Sequence, residues 1–80
     1  MGTAEFLDIA IKAVLDYVGE PYNYGVYVVW TCKTLQNNKA LLSTTLADGM
    51  YFEATYNGDK KELYLDAYKK LENKCIKMED

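Results

Sequence analysis

Between Trp30 and Lys60 the chain reads WTCKTLQNNKALLSTTLADGMYFEATYNGDK, where Asn37-Asn38, Asp48-Gly49 and Asn57-Gly58 punctuate runs that alternate apolar and polar residues. Dipeptides of this kind supply the positive φ that two-residue hairpin turns need, and a period of two marks strands with one covered face. An antiparallel meander is therefore the arrangement that most restricts the fold. Turns at Asn37-Asn38 and Asp48-Gly49 predict strands over residues 26–36, 39–47 and 50–57. Counting outward from those turns sets Thr45 opposite both Trp30 and Phe52, and Ser43 opposite both Cys32 and Ala54.

That register sorts the side chains into two faces. One carries Val26, Val28, Trp30, Cys32 and Thr34, then Leu41, Ser43, Thr45 and Ala47, then Met50, Phe52, Ala54 and Tyr56. Small residues flanked by rings form a trough in which a helix can lie, so this face is expected to be covered. The opposite face is mixed, not polar. Its apolar members Tyr27, Val29, Leu42, Leu46 and Tyr51, with Glu53 beside them, form a candidate partner-binding patch. Two arrangements remain open for it: cover by the first helix or the PYNYG connector at residues 21–25, or exposure to a partner.

Residues 3–18 are expected to be helical, with Thr3 as N-cap, Glu5 in the first turn, and Gly19 and Pro21 as stop signals. Asp8, Lys12 and Asp16 make a narrow polar stripe, and the apolar remainder predicts packing on more than one side. After residue 57, Asn57-Gly58 could turn the chain back as a fourth strand. Against this, Asp59 with Glu62 matches a capping box, and Leu63, Ala67, Leu71 and Cys75 recur at four, which favours a helix over 60–77. The expected domain, residues 1–80, is α+β with the order α-β-β-β-α: a three-stranded antiparallel meander with two helices packed on one face.

Eighty residues make one domain near the size at which a single core just offsets chain entropy. Eight tyrosines, two phenylalanines and one tryptophan provide the apolar area for that core. The chain has no histidine, so a Ser or Cys nucleophile would need a lysine or carboxylate base, and neither Cys32 nor Ser43 has one on its expected face. No enzyme, cofactor or metal site is therefore expected; two distant cysteines do not supply a zinc ligand set. Cys32 and Cys75 are expected to be buried free thiols in a reducing cytosol, as no signal-peptide pattern precedes the domain. No apolar run is long enough to span a bilayer.

Nine lysines stand against twelve acidic residues, and arginine is absent. Nucleic acid is not the expected partner, because the guanidinium fork is the usual phosphate and guanine reader. The alternative would use Lys60, Lys61, Lys69 and Lys70 on the expected second helix, since helix, three strands, helix is the order of double-stranded-RNA-binding domains. Interleaved Asp59, Glu62 and Asp66 instead suit a solvated helix face.

The segment Val26–Ile76, above all WTCKTLQNNKALLSTT and DGMYFEATYNGDKKELYLDAYKK, resembles a family of small uncharacterised proteins encoded by phages and prophages of Gram-positive bacteria. The resemblance implies a phage product acting in the bacterial host cytoplasm and carries over no functional residues. The expected role is a non-enzymatic module that binds a host or phage protein, such as one of host physiology or anti-phage defence. A structural homodimer is a further alternative.

Overall fold

The computed structural model describes residues 1–79. Helix α1 spans Thr3–Val18, and four strands follow: β1 Val26–Thr34, β2 Asn37–Thr44, β3 Met50–Asn57 and β4 Glu62–Lys69. They form one antiparallel sheet in the order β1-β2-β3-β4. Residues 70–79 are irregular and exposed.

Helix α1 stops as its sequence predicts: Gly19 takes φ 75° and its N–H donates to the Leu15 carbonyl at 2.8 Å. Its start differs, because Gly2 occupies the cap position and no side chain caps the helix. Phe6, Ala10 and Val14, one turn apart, are fully buried, with Leu7, Ile11 and Val18 packed beside them. This stripe lies on the inner strands, where Ala40 and Ala54 pair across β2 and β3 and are flanked by the Leu42–Phe52 pair. Two small residues in register let the helix approach, and the larger pair fills the space beside it. Tyr17 adds an edge-on contact to Phe52 with ring centroids 5.6 Å apart. Within the chain helix α1 is buried along this one stripe, and Ile9 and Tyr17 remain exposed, so the expected packing on a second side would have to be against a partner.

The expected α-β-β-β-α order is overturned at its end: residues 62–69 form strand β4, not the first part of a helix over 60–77. Asn57 explains why. Its Oδ1 accepts the N–H groups of Asp59 and Lys60, each at 3.1 Å, which closes a four-residue hairpin loop over 58–61. Asp59 thus sits inside a turn organised by Asn57 and does not cap a helix. Beyond the turn, ELYLDAYK also has a period of two, with Leu63 and Leu65 packing against the core and Tyr64, Asp66 and Tyr68 facing away. The strand reading satisfies β3's outer backbone groups, which a helix would have left unpaired.

Both predicted hairpin turns are displaced. Thr34 pairs with Asn37, so Leu35-Gln36 is the first turn, and the strands predicted over 26–36 and 39–47 become 26–34 and 37–44. Asn37 is free to act elsewhere, and its Oδ1 accepts the Gly58 N–H at 3.3 Å, tying the tips of the two outer hairpins together. In the second hairpin, Ser43 pairs with Tyr51 and the connection widens to residues 45–49. Thr45 leaves the ladder because its backbone N–H donates to Gly25 and its hydroxyl accepts the Gly25 N–H, at 2.9 and 2.8 Å. Asp48 Oδ1 accepts the Met50 N–H at 3.1 Å and starts β3.

The displacement at the second turn is odd, so β2 turns over relative to β3. Ala40, Leu42 and Thr44 join Phe52 and Ala54 beneath the helix, while Leu41 and Ser43 face the other way. A bulge between Val28 and Trp30 then splits β1. Val26 and Val28 stay on the covered side as predicted, but Trp30 and Cys32 cross over. Trp30 therefore shares a face with Tyr51, which overturns the expected arrangement of Trp30 and Phe52 around Thr45.

Two features of the hairpin tips lead to measurable expectations. A Cβ on Gly58 would strike the Gln36 carbonyl oxygen and lie 2.9 Å from Gln36 Cβ and 3.1 Å from its carbonyl carbon. Gly58→Ala must push the two tips apart, and a loss of about 2 kcal/mol in urea-unfolding free energy is expected. Leu35 is 88 % exposed at φ 55°, a conformation in which an L side chain crowds its own carbonyl. Leu35→Gly removes that crowding without losing buried area. A gain of about 0.5 kcal/mol is expected, visible as a higher urea midpoint at unchanged m.

Candidate functional site

The sheet face turned away from α1 is open, and the ladder sets its side chains in rows across four strands. Tyr27, Ser43, Tyr51 and Tyr68 form one row; Trp30, Leu41, Glu53 and Asp66 form the next; Cys32, Lys39, Thr55 and Tyr64 form a third. Tyr27, Trp30, Tyr64 and Tyr68 are each between 43 and 52 % exposed, which leaves aromatic edges available on all sides of a half-buried Leu41 and Tyr51. Ser43 is a low point in the first row. Its hydroxyl donates to the Met50 carbonyl at 2.7 Å, and the small side chain is buried at its register position between Tyr27 and Tyr51.

The electrostatics of this face centre on two carboxylates. Glu53 and Asp66 stand opposite each other in the register, an arrangement that disfavours two like charges. Lys39 reaches Glu53 diagonally at 3.5 Å, and Asp66 has no ion-pair partner among the described residues. At the next row the Tyr64 hydroxyl donates to Glu62 Oε1 at 3.1 Å. That hydrogen bond, with the carboxylate's charge and a smaller contribution from burial, holds the phenol above its usual value. Tyr64 therefore remains a protonated donor throughout the neutral range.

Of the patch expected from sequence, Tyr27, Tyr51 and Glu53 lie together on the open face, and Val29, the extra residue of the bulge, is exposed at its edge. Two members are corrected. Leu42 is fully buried beneath α1, and Leu46 lies in the 45–49 connection, not on a strand. Trp30, Leu41, Tyr64 and Tyr68 belong to the face and were missed. The first two were hidden by the bulge and the wider turn, and the second two by the helical reading of 60–77. The alternation Leu63-Tyr64-Leu65-Asp66-Ala67-Tyr68 was the signal that could have placed Tyr64 and Tyr68.

The lysines of the nucleic-acid alternative do not share a helix. Lys60 and Lys61 sit in the β3–β4 turn, whereas Lys69 and Lys70 lie at the far end of β4, about 25 Å away along an eight-residue strand. Cys32 and Cys75, expected to be buried, are both exposed free thiols. Cys32 lines a shallow depression of about 250 Å³ with Thr34, Asn37, Asn38, Lys39 and Thr55. Its sulfur lies 3.7 Å from the Thr34 hydroxyl, which is no base. No helix among the described residues is long and apolar enough to cross a membrane.

No curated protein and no solved structure matches this chain. A family model does match, over residues 7–78, and so takes in α1 from Leu7 onward, the whole sheet and nearly all of the segment that follows β4. The chain thus belongs to DUF6275, a family of unknown function.

Proposed function

We propose that this protein is a non-enzymatic protein-interaction module whose contact surface is the open face of its sheet. The observation that carries this reading is the set of rings Tyr27, Trp30, Tyr51, Tyr64 and Tyr68 on a face that α1 leaves uncovered. Tyrosine and tryptophan suit a contact surface because each buries large area at the cost of few rotatable bonds, while the hydroxyl or indole N–H finds a polar partner. Glu53 and Asp66 at the centre of the face favour a partner that brings cations. The resemblance to phage and prophage proteins suggests the bacterial cytoplasm as the setting, and a host or phage protein as one class of partner.

Replacing Tyr27 and Tyr51 together with Asp tests the reading, because it alters the open face and leaves the buried core intact. Immobilised wild-type protein is expected to retain a specific protein, either a bacterial protein or free copies of this chain, that the double variant loses, with both proteins showing the same circular dichroism and urea midpoint. Equal retention by the two would remove the sheet face from consideration.

A further inference from the structure

Residues 70–79 follow β4 as a segment in which every side chain is exposed, Leu71 at 91 %, Ile76 at 70 % and Met78 at 84 %. The backbone of Lys70 is held at the sheet end by its N–H donating to the Gly49 carbonyl at 2.7 Å, so the segment leaves the domain from a defined point. From there to Glu79 no residue is buried, so no part of the segment packs back onto its own sheet. A segment that leaves its own domain with Leu71, Ile76 and Met78 uncovered is suited to burying those side chains on another chain.

The area of the molecule supports the same conclusion. Its accessible surface is 6053 Å², whereas a compact monomer of 9.1 kDa exposes about 4,900 Å². The excess, about 1,100 Å², is more than the roughly 800 Å² that each partner contributes to a stable interface. The radius of gyration, 14.6 Å, also exceeds the roughly 12 Å of a compact chain of this length. The exposed segment and the uncovered sheet face both contribute to this surface, and their chemistry is complementary. Over residues 70–79 the segment carries Lys70, Lys74 and Lys77 against Glu72 and Glu79, interspersed with Leu71, Ile76 and Met78. The sheet face offers rings around Glu53 and Asp66, the latter without a cation.

We propose that the occupant of the open face is the C-terminal segment of a second copy of this chain. Each protomer lays Lys70–Met78 across its partner's sheet, in a reciprocal two-fold exchange. The apolar side chains of the segment cover the tyrosine rows, and its lysines meet Glu53 and Asp66. A two-fold arrangement of this kind is closed, because each copy donates one segment and accepts one, so assembly stops at the dimer. The proposal rests on the reading of the open face as a contact surface and names the partner.

Sedimentation equilibrium of the full-length chain tests it, with two variants alongside: Leu71→Asp/Ile76→Asp in the segment and Tyr51→Asp/Tyr68→Asp on the face. The segment substitutions replace exposed side chains and leave the domain's own packing untouched. The wild type is expected to sediment at twice the chain mass, and each variant to raise the dimer dissociation constant by about tenfold or more with unchanged circular dichroism. Dissociation in raised salt is expected as well, since lysine–carboxylate contacts contribute. A wild type that stays monomeric at 100 µM and above, or a segment variant as dimeric as the wild type, overturns the exchange. In that event, retention of a bacterial protein that depends on Tyr27 and Tyr51 would still uphold the interaction module, so the two readings fail separately.

Discussion

Leu42→Lys is expected to abolish cooperative folding, whereas Leu41→Lys, one residue earlier, is expected to leave the protein folded. Leu42 is fully buried between α1 and the sheet and belongs to the cluster of Phe6, Ala10, Val14, Phe52 and Ala54. A lysine there loses the leucine's contacts and carries a charge into a region with no counter-ion, at a cost of several kcal/mol. That is comparable with the total stability of a chain of this size, on the order of 4–12 kcal/mol. Leu41 faces the open side opposite Glu53, so a lysine at this position gains a carboxylate neighbour and shifts stability by no more than about 1 kcal/mol. Urea titrations followed by circular dichroism separate the two outcomes. The pair also tests the register itself, because the sheet inferred from the Asn37-Asn38 and Asp48-Gly49 turns would reverse the result.

Phe52→Ala is expected to cost about 3–5 kcal/mol, the range found when a large buried ring is removed and the space only partly closes. Phe52 is among the largest fully buried side chains, pairs with Leu42 across the ladder and receives the edge of Tyr17. For a domain of 60–100 residues each kcal/mol moves the melting temperature by about 4–8 °C, so a fall on the order of 20 °C is expected by thermal scan. Phe52→Leu, which keeps most of the apolar volume, is expected to lose about 1 kcal/mol. A difference of less than a few degrees between wild type and Phe52→Ala would mean that α1 does not lie on this part of the sheet.

The candidate contact face was only partly legible in the sequence, and the reasons are particular. Tyr27, Tyr51 and Glu53 were placed on the uncovered side because β3 does alternate as its sequence implies and the first residues of β1 follow it. Leu42 falls on the same side in the sequence pattern because Asp48-Gly49 predicts a two-residue turn, whereas the connection spans five residues, 45–49. An error of odd length inverts a strand completely, since its side chains alternate. Tyr64 and Tyr68 were lost to a helical pattern that ELYLDAYK satisfies almost as well as it satisfies a strand, with Leu63 and Ala67 four apart and Leu63 and Leu65 two apart.

Helix α1 and its stop at Gly19, the presence of a meander, and the alternation that buries Phe52 and Ala54 can all be read from residues adjacent in the chain. These depend on local signals: a glycine that tolerates positive φ, turn-forming dipeptides and a period of two. Which residues of β2 face the helix, where β1 bulges, and that the last regular element is a strand are settled by the packed chain. Those outcomes depend on contacts between distant residues: Thr45 held by Gly25, Asn37 reaching Gly58, and β4 completing the hydrogen bonds of β3. When two local patterns fit the same stretch, the arrangement that buries more apolar area and pairs more backbone groups prevails, and that balance is set by the whole chain.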